Sequence, residues 1–214
     1  MIAISTAYRE ALIALNINGV QAYKRLDANC QHSENLLLTL DELLQETGRN
    51  LSENDAFAVV IGPGSFTGLR IATALVKGLL AGERGKNILP ITTFDLMAYT
   101  YIKNFKVVDD FICVINALSG RYFVCKYNSK GKKQDIEKMI TKEEYESIKL
   151  NKISLQEEGV GNILIEPSPQ DLLQLATEKY SLDKLVSAEE LSPLYIRKSQ
   201  AEEGKEENLK KSKI

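Results

Sequence analysis

Three short apolar runs open the chain. IAIS (Ile2 to Ser5), EALIALN (Glu10 to Asn16) and GVQAYKR (Gly19 to Arg25) are separated by turn-like breaks. The second break is Asn18-Gly19, whose tolerance of positive φ suits a tight hairpin, so an antiparallel meander is predicted. HSENLLLTLDELLQETG follows, with leucines at 36, 37, 40, 43 and 44 on the i, i+3, i+4, i+7 template, and Gly48 stops it. That is an amphipathic helix. AFAVVIG (Ala56 to Gly62) is apolar on both faces, as a strand covered on both sides should be, and the helix after Thr67 crosses back. ILPIT (Ile88 to Thr92) predicts a strand and TTFDLMAYTYIKN a helix. The first half therefore reads three strands, helix, strand, helix, strand, helix.

The second half repeats this order more faintly. FICVINA (Phe111 to Ala117) and RYFVCKYN (Arg121 to Asn128) are strands joined through Ser119-Gly120, with a candidate third over Lys132 to Met139. Thr141 and Glu144 form a capping box for a helix; NILIE (Asn162 to Glu166) is a strand, and Ser168-Pro169 starts the helix SPQDLLQLATEKY. Two halves of similar order predict a duplicated α/β fold. Its expected divisions are a first lobe over 1–104, a smaller second lobe over 105–190, and a terminal segment over 191–214 that either returns to the first lobe or stays mobile. From Ser199 that segment is charge-rich without apolar periodicity, expected as a frayed end or a solvated helix.

Composition narrows the function. Among 214 residues, 44% are hydrophobic and 26% charged, which is ordinary for a folded protein, and the net charge of -2 gives no long-range attraction to a polyanion. RNA binding would need a partner. Cys30, Cys113 and Cys125 are odd in number and far apart, against a disulfide framework or a zinc site. No stretch reaches the ~18 apolar residues of a membrane span. The first residues enter an apolar run with no basic segment, so a cytoplasmic protein is expected. His32 is the single histidine, which excludes a two-histidine metal site by counting. Beside Ser33 and Glu34 it reads as a helix N-terminus, with Ser33 as cap, more readily than as a catalytic base.

The stretch IGPGSFTGLR (Ile61 to Arg70) runs from a buried strand through glycines into a helix, as a phosphate-binding loop does. A Walker loop needs GxxxxGK[ST], yet five from Gly62 lands on Thr67 and no lysine follows Gly68. A dinucleotide loop needs GxGxxG, and the spacing through Gly62, Gly64 and Gly68 is one residue too long. Two readings survive. The free N–H groups of the turn attract an anion, or Pro63 and Gly64 make a tight turn and Gly68 permits close packing, which is the favoured one. The helix TGLRIATALVKGLLAG is apolar nearly all round and rich in small residues, so it packs on the sheet and can accept a neighbouring helix at short distance.

The loop, with HSENLL at His32, IGPGSFTGLRIATALVKGL from Ile61, VINALSGRYFVCKYN and LSPLYIRKSQAE, resembles the TsaB family, also called YeaZ, of threonylcarbamoyladenosine formation in tRNA. The resemblance covers most of the chain, and GPGSFTGLR carries it. It implies an actin-like (ASKHA, ribonuclease H-like) duplicated fold, two lobes each a mixed sheet with helices. It also implies a pseudoenzyme subunit that stabilises a TsaD-like transferase in a complex with a TsaE-like ATPase and meets tRNA only through that complex.

Active relatives in the superfamily place magnesium-holding carboxylates at first-strand ends. TsaB proteins commonly keep an aspartate at each such position, followed by Ala-Arg at the second. Here those positions are Ser5 and Asn116, the latter followed by Ala117 and Leu118, and Asp109 and Asp110 sit at the wrong end of their strand to substitute. No catalytic residue, metal or cofactor is therefore expected in this subunit, while ATP or ADP has room at the interface of the complex. The family's two first-lobe helices, here about Glu34 to Thr47 and Thr67 to Gly82, meet the partner's in a four-helix contact. Leu36, Leu40, Leu44, Leu69, Arg70 and Thr73 are the expected contact residues, beside the motif loop Gly62, Pro63, Gly64, Ser65, Phe66, Thr67 and Gly68. Alone, the same helices would form a homodimer. The rival expectation is an actin-like nucleotide-binding enzyme, of ATPase or kinase type, acting on its own.

Overall fold

The computed structural model describes residues 1–27, 32–82 and 87–196, with the side chains of His32, Ser33 and Glu34 left outside. The readings of Cys30, His32, the Ser33 cap and the segment from Ser199 lie outside the described residues.

The opening meander forms as expected: β1 (Ile2–Ser5), β2 (Ala11–Ile17) and β3 (Val20–Leu26) pair antiparallel through Asn18 and Gly19, whose φ values are 52° and 80°. Helix α1 (His32–Thr47) ends at Gly48, φ 62°. It is followed by β4 (Ala56–Gly62), α2 (Phe66–Leu79), β5 (Asn87–Thr92) and α3 (Thr93–Asn104). The second half contains β6 (Phe111–Asn116), β7 (Arg121–Tyr127), β8 (Lys138–Thr141), α4 (Lys142–Ser147), β9 (Asn151–Leu155), β10 (Ile163–Ile165) and α5 (Pro169–Lys179).

Duplication is visible in the sheets. The first has order β3-β2-β1-β4-β5 and the second, read from its far edge, β8-β7-β6-β9-β10, with the same parallel and antiparallel pairings. Where the first half has α2, the second has only the short connection 156–162.

Three expectations move. The third strand of the second half is Lys138–Thr141 rather than Lys132 to Met139. Before it, Asn128 Oδ1 accepts from the N–H groups of Lys130 and Lys132, which winds the chain into a turn with only a Tyr127–Lys133 bridge. Strand β9 has too short an apolar pattern to stand out in sequence, yet Ile153, Ser154 and Leu155 are buried, and the Ser154 hydroxyl accepts from Gly161 N–H. Helix α2 starts at Phe66, one residue before Thr67, because Ser65 caps it, and it ends at Leu79 rather than Gly82.

Alternation along each strand splits the first sheet into two faces. Ile2, Ile4, Ile13, Phe57 and Val59 meet Leu36, Leu40, Leu43 and Leu44 of α1 and Ala72 and Val76 of α2. The opposite face, Ala3, Leu12, Ala14, Ala58 and Val60, is covered by Leu172, Leu173, Leu175 and Ala176 of α5. Alanine at three of those positions lets the helix approach closely. Reciprocally, Phe94, Met97 and Tyr101 of α3 pack on Phe111, Cys113 and Tyr127 of the second sheet. Each lobe's last helix thus covers the other lobe's sheet. The chain then returns: Val186 bridges Ile88 at the β5 edge, and Leu191 is buried against the first sheet.

Asp95 of α3 ties these layers. Its carboxylate accepts the Tyr127 hydroxyl at 2.7 Å, with Lys133 at 3.4 Å and Lys179 at 3.7 Å. Burial alone would push its pKa up, but the two ammonium groups and the Tyr127 and Thr92 hydrogen bonds hold it below the ordinary 3.8. A depressed carboxylate pKa gives stability that is present above the unfolded value and lost as pH falls through the folded one. Asp95→Asn is expected to lower stability by about 2 kcal/mol at neutral pH. Thermal melts at a series of pH values check this, since the gap from the native chain should shrink as pH drops below 3.8.

Candidate functional site

The motif loop joins β4 to α2 and rests on the segment that follows β1. Ser65 N–H donates to Ala7 O at 2.9 Å, and the Thr6 hydroxyl donates to Gly68 O at 2.5 Å. Both close approaches require glycine. A Cβ on Gly64 would overlap the Ala7 carbonyl, and one on Gly68 the Thr6 carbonyl. Pro63 is buried and follows a cis peptide bond from Gly62, whose φ is 123°. Much of the loop's hydrogen bonding is internal: Gly68 N–H goes to the Ser65 hydroxyl and Leu69 N–H to Ser65 O. The geometry therefore favours the packing reading of the glycines over the anion reading.

The terminal segment clips onto this loop. Leu194 N–H donates to Ile61 O at 2.7 Å, and Tyr195 reaches the first turn of α2. There Arg70 lies over the Phe66 ring at 3.9 Å and donates through Nε to the Tyr195 hydroxyl at 3.1 Å, with the two rings 5.2 Å apart. A cation in the first turn of a helix opposes the dipole. Here the aromatic faces compensate, a contact worth about 0.5 to 1 kcal/mol when exposed. Phe66 is 36% and Tyr195 46% exposed, so the cluster stands at the surface. It joins two stretches, GPGSFTGLR and LSPLYI, that sequence spacing leaves 120 or more positions apart, as the Arg70–Tyr195 separation of 125 records.

Beside it lies the outer face of α1 and α2. Of the six expected contact residues only Arg70 is exposed. Leu36, Leu40, Leu44, Leu69 and Thr73 are buried in the chain's own core, because they form the stripes that pack on the sheet. The outward face instead presents Leu37 and Leu38 on α1, and Thr67, Ala74 and Gly78 on α2 with half-buried Ile71 and Leu75. Five of the six expected contact residues therefore serve the chain's own core, and the exposed side of each helix is rotated away from them. Leucine periodicity identified a buried stripe without telling core from partner.

The two strand-end positions are topologically equivalent, being the last residues of β1 and β6. Ser5 is fully buried, and its hydroxyl has no hydrogen-bond partner among the described residues. Asn116 is exposed; its side-chain oxygen accepts from Leu118 N–H at 2.9 Å, and its own N–H donates to Glu158 at 2.6 Å. Among the described residues no group of three or more His, Cys, Asp or Glu is placed to hold a metal, and no helix is long and apolar enough to cross a membrane.

Comparison with known proteins agrees with this architecture. The family model described as TsaD, tRNA N6-adenosine threonylcarbamoyltransferase, matches residues 26–149. The tRNA threonylcarbamoyladenosine biosynthesis protein TsaB of Haemophilus influenzae is 32% identical over 98 residues, which is 46% of this chain and 41% of that protein. The protein of the same name from Escherichia coli is 25% identical over 226 aligned positions, covering 94% of this chain and 96% of its own length. YeaZ from Pseudomonas aeruginosa has the same fold, with a TM-score of 0.74 at 23% identity over 91% of this chain and 98% of that one. The family match over more than half the chain, the near full-length TsaB likeness and the two-lobed fold converge: this chain belongs to the TsaB/YeaZ family of tRNA threonylcarbamoyladenosine biosynthesis proteins.

Proposed function

We propose that the chain is a non-catalytic subunit of threonylcarbamoyladenosine formation, which binds and stabilises a TsaD-like transferase through the outer face of α1 and α2. One observation carries the reading. Among the described residues that face is exposed, and it combines small residues at Thr67, Ala74 and Gly78 with the exposed apolar Leu37 and Leu38. Small residues let a second helix pair approach closely, while burial of the leucines contributes hydrophobic free energy. The Arg70, Phe66 and Tyr195 cluster sits at the end of that face as a candidate anchor, since aromatic and arginine side chains dominate contact energies. Serine and asparagine at the strand ends support the non-catalytic role, because magnesium is usually held through one or two carboxylates. A TsaE-like ATPase, ATP or ADP at the interface and tRNA would meet this subunit only within the complex.

Size-exclusion chromatography with light scattering tests the reading, using the chain mixed with the TsaD-like protein of the same genome. A hetero-complex should replace the self-associated form, and tRNA modification by the mixture should require this chain. Two separate peaks, with or without a TsaE-like protein and ATP, would refute it.

A further inference from the structure

The outward stripe of α2, Thr67, Arg70, Ala74 and Gly78, holds a single charge. The helix contains no Asp or Glu, and its other cation, Lys77, is half-buried and interacts with Glu189. Helix α1 beside it has the opposite sign. It contains no Lys or Arg, and it exposes Asp41, Glu42 and Glu46. Those acids are served locally: Asp41 accepts from Gln45 at 2.6 Å, Glu46 pairs with Lys24 of β3 at 2.7 Å, and Glu42 acts on the same lysine. Arg70 therefore has no carboxylate among the described residues. Its guanidinium is nevertheless fixed. One face lies 3.9 Å from the Phe66 ring centre, the Tyr195 ring is 5.9 Å away, and Nε donates to the Tyr195 hydroxyl at 3.1 Å. With Nε occupied, the two-point approach that remains is end-on, through Nη1 and Nη2, which meet no acceptor among the described residues. That planar fork matches a carboxylate, and fixing it in advance lowers the ordering cost of binding. The position of Arg70 decides where the anion comes from. Thr67 and Ala74 on either side let a second helix come close, so a group reaching Arg70 is carried by that helix. A guanidinium covered there without an acceptor would oppose association. The N-terminal end of α2 adds to the positive potential at this point.

We propose that Arg70 is the receptor for one carboxylate of the TsaD-like partner, an Asp or Glu on the helix that packs over α2, bound end-on through Nη1 and Nη2. The inference rests on the docking role proposed above and adds to it the sign and the place of one contact: the partner helix is acidic where it crosses Thr67 to Ala74.

Titration calorimetry in nucleotide-free buffer compares the native chain, Arg70→Gln and Arg70→Lys as ligands of the TsaD-like protein. Arg70→Gln should weaken binding at least about thirtyfold, and Arg70→Lys, which keeps the charge without the fork, by a smaller factor. Affinity of the native chain should also fall more steeply with added salt than that of Arg70→Gln, a difference that lost packing on Phe66 would not produce. In Arg70→Lys a zero-length carbodiimide should join the introduced amine to an Asp or Glu of the partner. Replacing that partner residue by its amide should then weaken binding of the native chain as much as Arg70→Gln does. If Arg70→Gln does not fold, Arg70→Lys and the cross-linked residue carry the test. Unchanged affinity in folded Arg70→Gln overturns the proposal. So does a loss seen only when ADP is present, which assigns the anion to a phosphate, or a loss of self-association alone, which assigns it to α1 of a second copy. No binding by the native chain refutes the docking role and this contact with it, whereas binding that Arg70→Gln leaves unchanged refutes the contact alone.

Discussion

Gly68→Ala is expected to destabilise the isolated chain by about 3 kcal/mol or more, since an added methyl would meet the backbone carbonyl of Thr6 rather than a side chain able to turn aside. Relief would require moving β1 or tilting α2, and both are set in the same buried layer. Thr6 also donates its hydroxyl to Gly68 O, so a shift that makes room for the methyl loses that bond as well. Gly78→Ala is the internal control. It lies on the same helix, is exposed, and nothing among the described residues stands within 4 Å of the position its Cβ would take. Replacing a glycine in the last turn of the helix should there stabilise by no more than about 0.5 kcal/mol. Urea denaturation of the three proteins decides it. Equal midpoints for Gly68→Ala and the native chain would mean that the close approach is not needed.

The second large effect separates the core from the proposed contact face on α1 and α2. Leu40→Glu places a charge at a position only 1% exposed within the chain's own core, and should abolish folding, costing about 4 kcal/mol or more. Ala74→Glu places the same charge on the outer face. In the isolated chain this should change stability by no more than about 0.5 kcal/mol, as surface substitutions generally do. In a complex formed through that face the charge would be buried unpaired, and affinity for the TsaD-like protein should fall about a hundredfold or more. The melting temperature of each variant, followed by titration calorimetry with the partner, reads both effects. A folded Ala74→Glu variant that binds as tightly as the native chain would move the contact elsewhere.

Much of the fold was legible wherever a local signal and a burial pattern coincided. Asn18-Gly19 places the hairpin, and Thr141 with Glu144 places a helix start, because both depend on backbone chemistry within a few residues. Strand β9 was not legible: NKISL carries only two apolar side chains, and its burial comes from β6 and β10 on either side. The site divides in the same way. GPGSFTGLR announced a special loop, yet its demand for glycine at 64 and 68 arises from the Thr6 and Ala7 carbonyls, contacts between distant parts of the chain. Arg70 meeting Tyr195 is likewise invisible to spacing. Leu36, Leu40 and Leu44 are the residues a periodicity search finds best because they face the core, so the outer face must be read from what remains.

The exchange of terminal helices sets a timetable for synthesis. The inner face of the first sheet, with Leu12 and Val60 among its residues, has its cover in Leu172, Leu173 and Ala176. Chains emerge from the ribosome N-terminus first. That sheet therefore waits, one apolar face uncovered, until α5 has been made, and a ribosome paused in the second half would hold a nascent chain open to chaperones. Emergence of α5, more than completion of the first lobe, is the event that lets that face close.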